Sequence, residues 1–132
     1  ADAGGARERH LETGGGGALI AVSSLTAIHG AAGNEAYGAS KSALVGLTRA
    51  LAVGLARHRI RVNALLPGWT TTDLTSVVHE NETLRLAKIE RTPARRWADP
   101  SEIGAVAAFL ADPRLTFHTG DEVVVDGGYT KF

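Results

Sequence analysis

The 132-residue sequence contains no cysteine, which excludes a disulfide frame, a thiolate metal site and a cysteine nucleophile, and leaves the redox compartment open. Neither sign of charge is in excess. The 14 lysines and arginines balance 14 aspartates and glutamates, so no net field gathers nucleic acid, an anionic membrane or an acidic substrate over distance. Apolar runs such as Val106 to Ala111 are far shorter than the roughly 18 residues of a membrane-crossing helix. Methionine is absent, and the start at Ala1 carries no charged-then-apolar signal segment, which reads as the continuation of something longer. A cytoplasmic protein that acts on a small, locally recognised molecule is the expectation, with no nucleic-acid or membrane partner.

With 44% hydrophobic and 21% charged residues, the composition is that of a globular chain, and the length suits one domain. Residues 1 to 17, with Gly4, Gly5 and Gly14 to Gly17 around the polar stretch Arg7 to Thr13, read as a short helix end entering a flexible loop. Strand and helix signals then alternate. Ala18 to Val22 is a short apolar run suited to a strand buried on both faces, ending at Ser23-Ser24. Ala36 to about His58 repeats Leu44, Leu47, Leu51 and Leu55 at helical spacing. Arg61 to Leu66 predicts a second buried strand, stopped by Pro67-Gly68.

Residues 70 to 93 hold Val77, Val78, Leu84, Leu86 and Ile89 without one clean period, which predicts a mobile helical segment. Asp99 as a cap, Pro100 in the first turn and the acidic Glu102 open the next helix, which runs to about Ala111. Asp121 to Val125 is a third strand, broken by Asp126-Gly127-Gly128. This order predicts an α/β fold with a parallel sheet and crossover helices. Three strands are few for such a sheet, so the strand at Ala18 to Val22 is expected to pair with a neighbour outside this chain.

The candidate chemistry lies in Ser24, Tyr37 and Lys41. Tyr37 and Lys41 stand four apart near a helix start, on one face and one turn apart. A phenol with an ordinary pKa near 10 is a poor acid-base catalyst at neutral pH, and a neighbouring ammonium favours its ionised form. Ser24, at the carboxyl end of the preceding strand, puts a hydroxyl where open parallel sheets bind ligands. Singly, such a tyrosine packs, such a serine caps and such a lysine is solvated; the joint spacing is what points to a site. The five histidines, 10, 29, 58, 79 and 118, show no metal-ligand spacing and no carboxylate partner at a helical offset, so surface or packing roles are expected and no metal site. Gly-x-Ser-x-Gly is absent, which argues against a serine hydrolase.

Tyr37-Gly38-Ala39-Ser40-Lys41 resembles the Tyr-x-x-x-Lys signature of the short-chain dehydrogenases/reductases. The resemblance extends to Ala21-Val22-Ser23-Ser24, to Arg61-Val62-Asn63 with Pro67-Gly68, and to Val125-Asp126-Gly127-Gly128. It implies a Rossmann-type parallel sheet with flanking helices, of which residues 1–132 are the carboxyl-terminal part, the amino-terminal half being absent. It also implies hydride transfer between NAD or NADP and a small carbonyl or alcohol substrate. In that family the serine orients the substrate oxygen, the tyrosine moves its proton, and the lysine holds the nicotinamide ribose. Ser24, Tyr37 and Lys41 are thus the implied catalytic residues, and Tyr37, Lys41, Pro67, Gly68, Thr70 and Thr72 the implied cofactor contacts.

For Thr72 a helix cap is the alternative, and Asn63 and Asp126 suit local backbone bonding. Trp69 and Thr70 stand where relatives more often carry small or aliphatic residues. The family's glycine-rich pyrophosphate turn has no counterpart here, because Gly14 to Gly17 precede a strand instead of following one. The substrate pocket is expected between Ile28 to Glu35 and residues 70 to 93. The resemblance further implies a homodimer or homotetramer packed through the long helix. The rival expectation is a truncated, non-catalytic subunit that keeps that helix but cannot hold cofactor alone.

Overall fold

The computed structural model describes residues 15–131. The helix end expected over Arg7 to Thr13, and His10, lie outside the described residues. Three strands form one parallel sheet in the order β1 (Gly17–Val22), β2 (Ile60–Pro67) and β3 (Glu122–Val125). Ala18 pairs with Arg61 and Val22 with Leu65, and on the other side Leu66 pairs with Val124. Among the described residues the second edge of β1 has no strand partner.

β2 is buried from Ile60 through Leu66, and the alternation of side chains along a strand divides those residues between two layers. Ile60, Val62, Ala64 and Leu66 face the long helix α1 (Glu35–Leu55), where they pack on Val45, Ala52 and Leu55. Arg61, Asn63 and Leu65 face the opposite layer, which carries helix α4 (Pro100–Ala111). Full burial of an aliphatic side chain such as Leu66 stabilises by about 1.5–3 kcal/mol. The two polar members of that second layer are satisfied. Arg61 donates to the carbonyls of Asp112 and His118, while the Asn63 amide donates to His118 O (3.0 Å) and accepts the Asp121 N–H (3.0 Å). Asn63 thus bonds backbone as expected, but across the fold and not locally, its partners lying 55 and 58 residues along the chain.

Three sequence expectations are corrected. The buried stripe of α1 is Val45, Thr48, Ala52 and Leu55, whereas Leu47 is exposed and Leu44 and Leu51 sit at the margin. Thr48 can enter this face because its hydroxyl donates to Leu44 O at 2.8 Å. Pro67 belongs to β2 instead of stopping it. It pairs with Val125 at the end of the ladder, beyond the last pairing with β1, so its missing N–H interrupts nothing. His118 has a carboxylate three residues on. Its Nε2 lies 3.1 Å from Asp121, close enough for an ion pair, though without the alignment of a hydrogen bond.

The chain between β2 and α4 makes a long excursion with a pinned neck. Ala98 N–H donates to Trp69 O (2.9 Å), Thr71 N–H donates to Ala98 O (3.0 Å), and the two indoles of Trp69 and Trp97 lie 5.2 Å apart. Within it are α2 (Ser76–Glu80) and α3 (Glu82–Arg91), two short helices in the stretch expected to be a helical segment. At the start of α4 the Asp99 carboxylate accepts the Ser101 N–H (2.9 Å) and Glu102 accepts the Asp99 N–H (2.8 Å), closing a capping box. Arg96 grips Glu102 with two bonds of 2.7 and 2.8 Å, and these hold the Glu102 carboxyl down at about 2, with the Asp99 N–H adding to the effect.

Candidate active site

The carboxyl ends of β1 and β2 open onto the site. Ser23 and Ser24 follow β1 directly and divide the work. Ser23 is buried and donates to the backbone carbonyl of Lys41 at 2.7 Å. In return the Lys41 ammonium donates to the carbonyl of Val22 at 3.1 Å. The strand end and the second turn of α1 are thereby stapled from both directions. Ser24 caps a 3-10 turn (Leu25–Ala27), its Oγ accepting the Thr26 N–H at 3.2 Å. That bond uses an acceptor site and leaves the Ser24 hydroxyl hydrogen available.

Tyr37 lies in the first turn of α1, half-buried, and its phenol makes no hydrogen bond to the described residues. Lys41, one turn on, places its ammonium 5.5 Å from the centre of the Tyr37 ring. The helical spacing read from the sequence is therefore realised, and Ser24, Tyr37 and Lys41 share the wall of one cavity of about 370 Å³. Pro67, Thr70 and Thr72 line the same cavity, with the apolar Leu65 and Ile103 opposite.

Gly68 lines an adjoining cavity of about 340 Å³, which also touches Ser24, Tyr37 and Pro67. A side chain at Gly68 has no room, because its Cβ would stand 2.7 Å from the Asp126 Cα where Gly68 N–H bonds Val125 O. The threonines are already engaged. Thr70 is buried and donates to Gly68 O (3.1 Å), and Thr72 forms a capping box with Thr75, the alternative weighed from the sequence. Asp126 is also tied to its own turn. Burial pushes its carboxyl up, but bonds from Thr130 and Gly128 outweigh this and hold it below the usual range. Trp69 packs on Trp97 and carries the Lys88 ammonium 4.8 Å above its ring, so its bulk serves the neck of the excursion as well as the second cavity.

Sequence reasoning missed one side chain here, Ser23, legible only as one of a serine doublet. His29 and Asn34, from the stretch Ile28 to Glu35 expected to line the substrate pocket, do line the second cavity together with Leu74 and Val78 from residues 70 to 93. His29 combines this with the packing role expected of it, its ring lying 5.9 Å from that of Tyr129. Among the described residues no cluster of three histidines or carboxylates is placed to hold a metal, and no helix is long and apolar enough to cross a membrane.

Against known proteins, the profile of a family described as enoyl-(acyl carrier protein) reductase matches residues 5–130. The chain is similar to an uncharacterized oxidoreductase of Mycobacterium tuberculosis, 44% identical over 120 residues that cover 91% of this chain and 45% of that protein. Among solved structures it resembles a gluconate 5-dehydrogenase from Burkholderia cenocepacia in complex with NADP and tartrate. That match has a TM-score of 0.90 and 30% identity over 95% of this chain and 49% of the other. A short chain dehydrogenase family protein from Francisella tularensis superposes with a TM-score of 0.81 and 29% identity over 87% and 51% of the two chains. The chain spans about half the length of the relatives it matches.

Proposed function

The chain belongs to the short-chain dehydrogenase/reductase family, and on that premise we propose that it supplies the reacting end of an NAD- or NADP-dependent oxidoreductase acting on a small carbonyl or alcohol. The observation that carries this reading is the convergence of Ser24, Tyr37 and Lys41 on one cavity at the carboxyl ends of β1 and β2. The lining suits a nicotinamide and its ribose. Val22, Leu65, Ile103 and Ala107 offer apolar walls to a flat ring, and Lys41 has donor capacity left after its bond to Val22. NADH or NADPH, when bound, supplies the hydride that the carbonyl carbon takes up.

The chain's own groups handle the oxygen. Ser24 donates its free hydroxyl hydrogen to the substrate oxygen and fixes its direction. The Tyr37 phenol, uncommitted within the described structure, gives its proton to that oxygen as the carbonyl becomes an alcohol, and takes one back in the oxidation direction. Lys41 offsets the negative charge that grows on the phenol oxygen as the proton leaves. The test is Tyr37→Phe in the complete enzyme. Carbonyl reduction should fall about 10²- to 10⁴-fold with cofactor binding largely retained, as measured by steady-state kinetics and fluorescence titration. A variant that keeps more than about a tenth of the rate refutes the assignment.

A second reading is a non-catalytic chain: among the described residues no glycine-rich turn joins a strand to a helix N-terminus that could receive the pyrophosphate. Calorimetry of residues 1–132 with NADH and NADPH separates the two. For assembly, Ala39, Ala43, Gly46, Ala50 and Gly54 are exposed along one side of α1, beside Val53 at 82% exposure. This side would admit a close two-fold helix pairing, giving a homodimer or a homotetramer built from it. Light scattering of the complete protein should exceed monomer mass at micromolar concentration.

A further inference from the structure

The second cavity has walls of two kinds. Trp69, Leu74 and Val78 give it apolar lining, and the loop between Ser24 and Tyr37 adds the polar side chains of Thr26, His29 and Asn34. Among the described residues no aspartate, glutamate, lysine or arginine lines it. A carboxylate or phosphate on a substrate would lose hydration there without gaining a counter-charge, which is costly for an ion.

The chemistry of the polar side can be read from its hydrogen bonds. His29 Nδ1 lies 3.2 Å from the carbonyl oxygen of Gly30, and since a carbonyl only accepts, Nδ1 carries the proton. With the proton on Nδ1, an uncharged imidazole has an acceptor at Nε2. Asn34 occupies the N-cap position of α1, yet its carboxamide caps nothing and bonds to none of the described residues. It therefore offers both a donor and an acceptor. An acceptor beside a donor-acceptor pair, both uncharged, is matched to hydroxyl groups, which donate and accept in turn.

We propose that this cavity selects a neutral carbonyl compound bearing a further hydroxyl, or the corresponding diol or polyol. The additional hydroxyl is bound by His29 and Asn34, and the hydrocarbon face lies against Trp69 and Leu74. The proposal rests on the oxidoreductase reading above and adds the class of substrate.

The test compares kcat/KM of the complete enzyme, with NADH or NADPH, for 2-hydroxycyclohexanone, cyclohexanone and 3-oxocyclohexanecarboxylate. The hydroxy ketone should lead cyclohexanone by about tenfold or more, and the carboxylate should trail both, since a site built to bond a hydroxyl discriminates against analogues lacking it. Asn34→Ala, at an exposed position, and His29→Phe, which keeps a ring against Tyr129, should each collapse the hydroxy-ketone preference toward one. His29→Gln retains an acceptor and should restore part of it. Saturation-transfer NMR of 2-hydroxycyclohexanone on the wild type and on Asn34→Ala gives a readout independent of turnover, with the signal reduced in the variant. Equal rates on the two neutral ketones, a preference for the carboxylate, or a preference that survives both variants overturns this inference and leaves the oxidoreductase reading standing. No turnover of any of the three compounds overturns both.

Discussion

β2 and β1 are neighbours in one sheet and have opposite characters. β2 is hydrogen-bonded on both sides, buried along Ile60 to Leu66, and its few polar side chains are fully committed to backbone. β1 is paired on one side only among the described residues, is half-buried from Gly17 to Ala21, and ends on Val22 at 51% exposure. Yet the Ser24 hydroxyl at the end of β1, with Tyr37 and Lys41 beside it on α1, carries the uncommitted chemistry, and β2 contributes chiefly floor. Stability and reactivity are thus lodged in adjacent elements, because a hydrogen atom that is free to be donated to a substrate cannot also be spent on the fold.

That division can be broken deliberately, the largest effect coming from the central strand. Leu66→Ala should lower the unfolding free energy by about 2–5 kcal/mol in urea titrations, since the residue is wholly enclosed between α1 and the sheet. Ser23→Ala, which cuts one of the two bonds stapling β1 to α1, should cost only about 1 kcal/mol by the same titration. Because Lys41 is held by that staple, its effect on kcat/KM should exceed its effect on stability, and an equal loss in both would argue against a positioning role. The smallest change is expected away from both strands. With its carboxyl held at about 2 against an ordinary 4.5, Glu102 contributes stability that is complete above pH 4.5 and is lost as pH falls toward 2. Glu102→Gln should flatten the pH dependence of the melting temperature within that window and lower the melting temperature slightly near neutrality, where the wild-type pairing is complete.

Much of the sheet was legible because β2 and β3 are short apolar runs with turn residues at their ends, and because Asp99-Pro100 announces a helix start in local chemistry alone. The Tyr37 and Lys41 pairing was legible for the same reason, as four residues on a helix fix a common face. What was not legible depends on packing at a distance. The leucines of α1 suggested one buried stripe, but Ala52 meets Ile60 and Val62 of β2 beside Leu55, because a small side chain fits against a sheet at close range, while Leu47 is exposed. Pro67 could be placed in the strand only once β3 was known to pair beyond the reach of β1. Asn34 has the residue type of a helix cap, and nothing local reveals that its carboxamide makes no cap bond.

The pinned neck at Trp69 and Ala98 has a consequence for how such a protein diversifies. Leu74, Thr75 and Val78 reach the cavity from a flap whose two ends are clamped to each other, while Ser23 and Lys41 tie the end of β1 to α1, the helix that carries Tyr37. Residues within the flap can therefore be exchanged without moving Ser24, Tyr37 or Lys41. On the proposed function, selectivity is then free to drift under mutation while the groups that handle the proton stay in place.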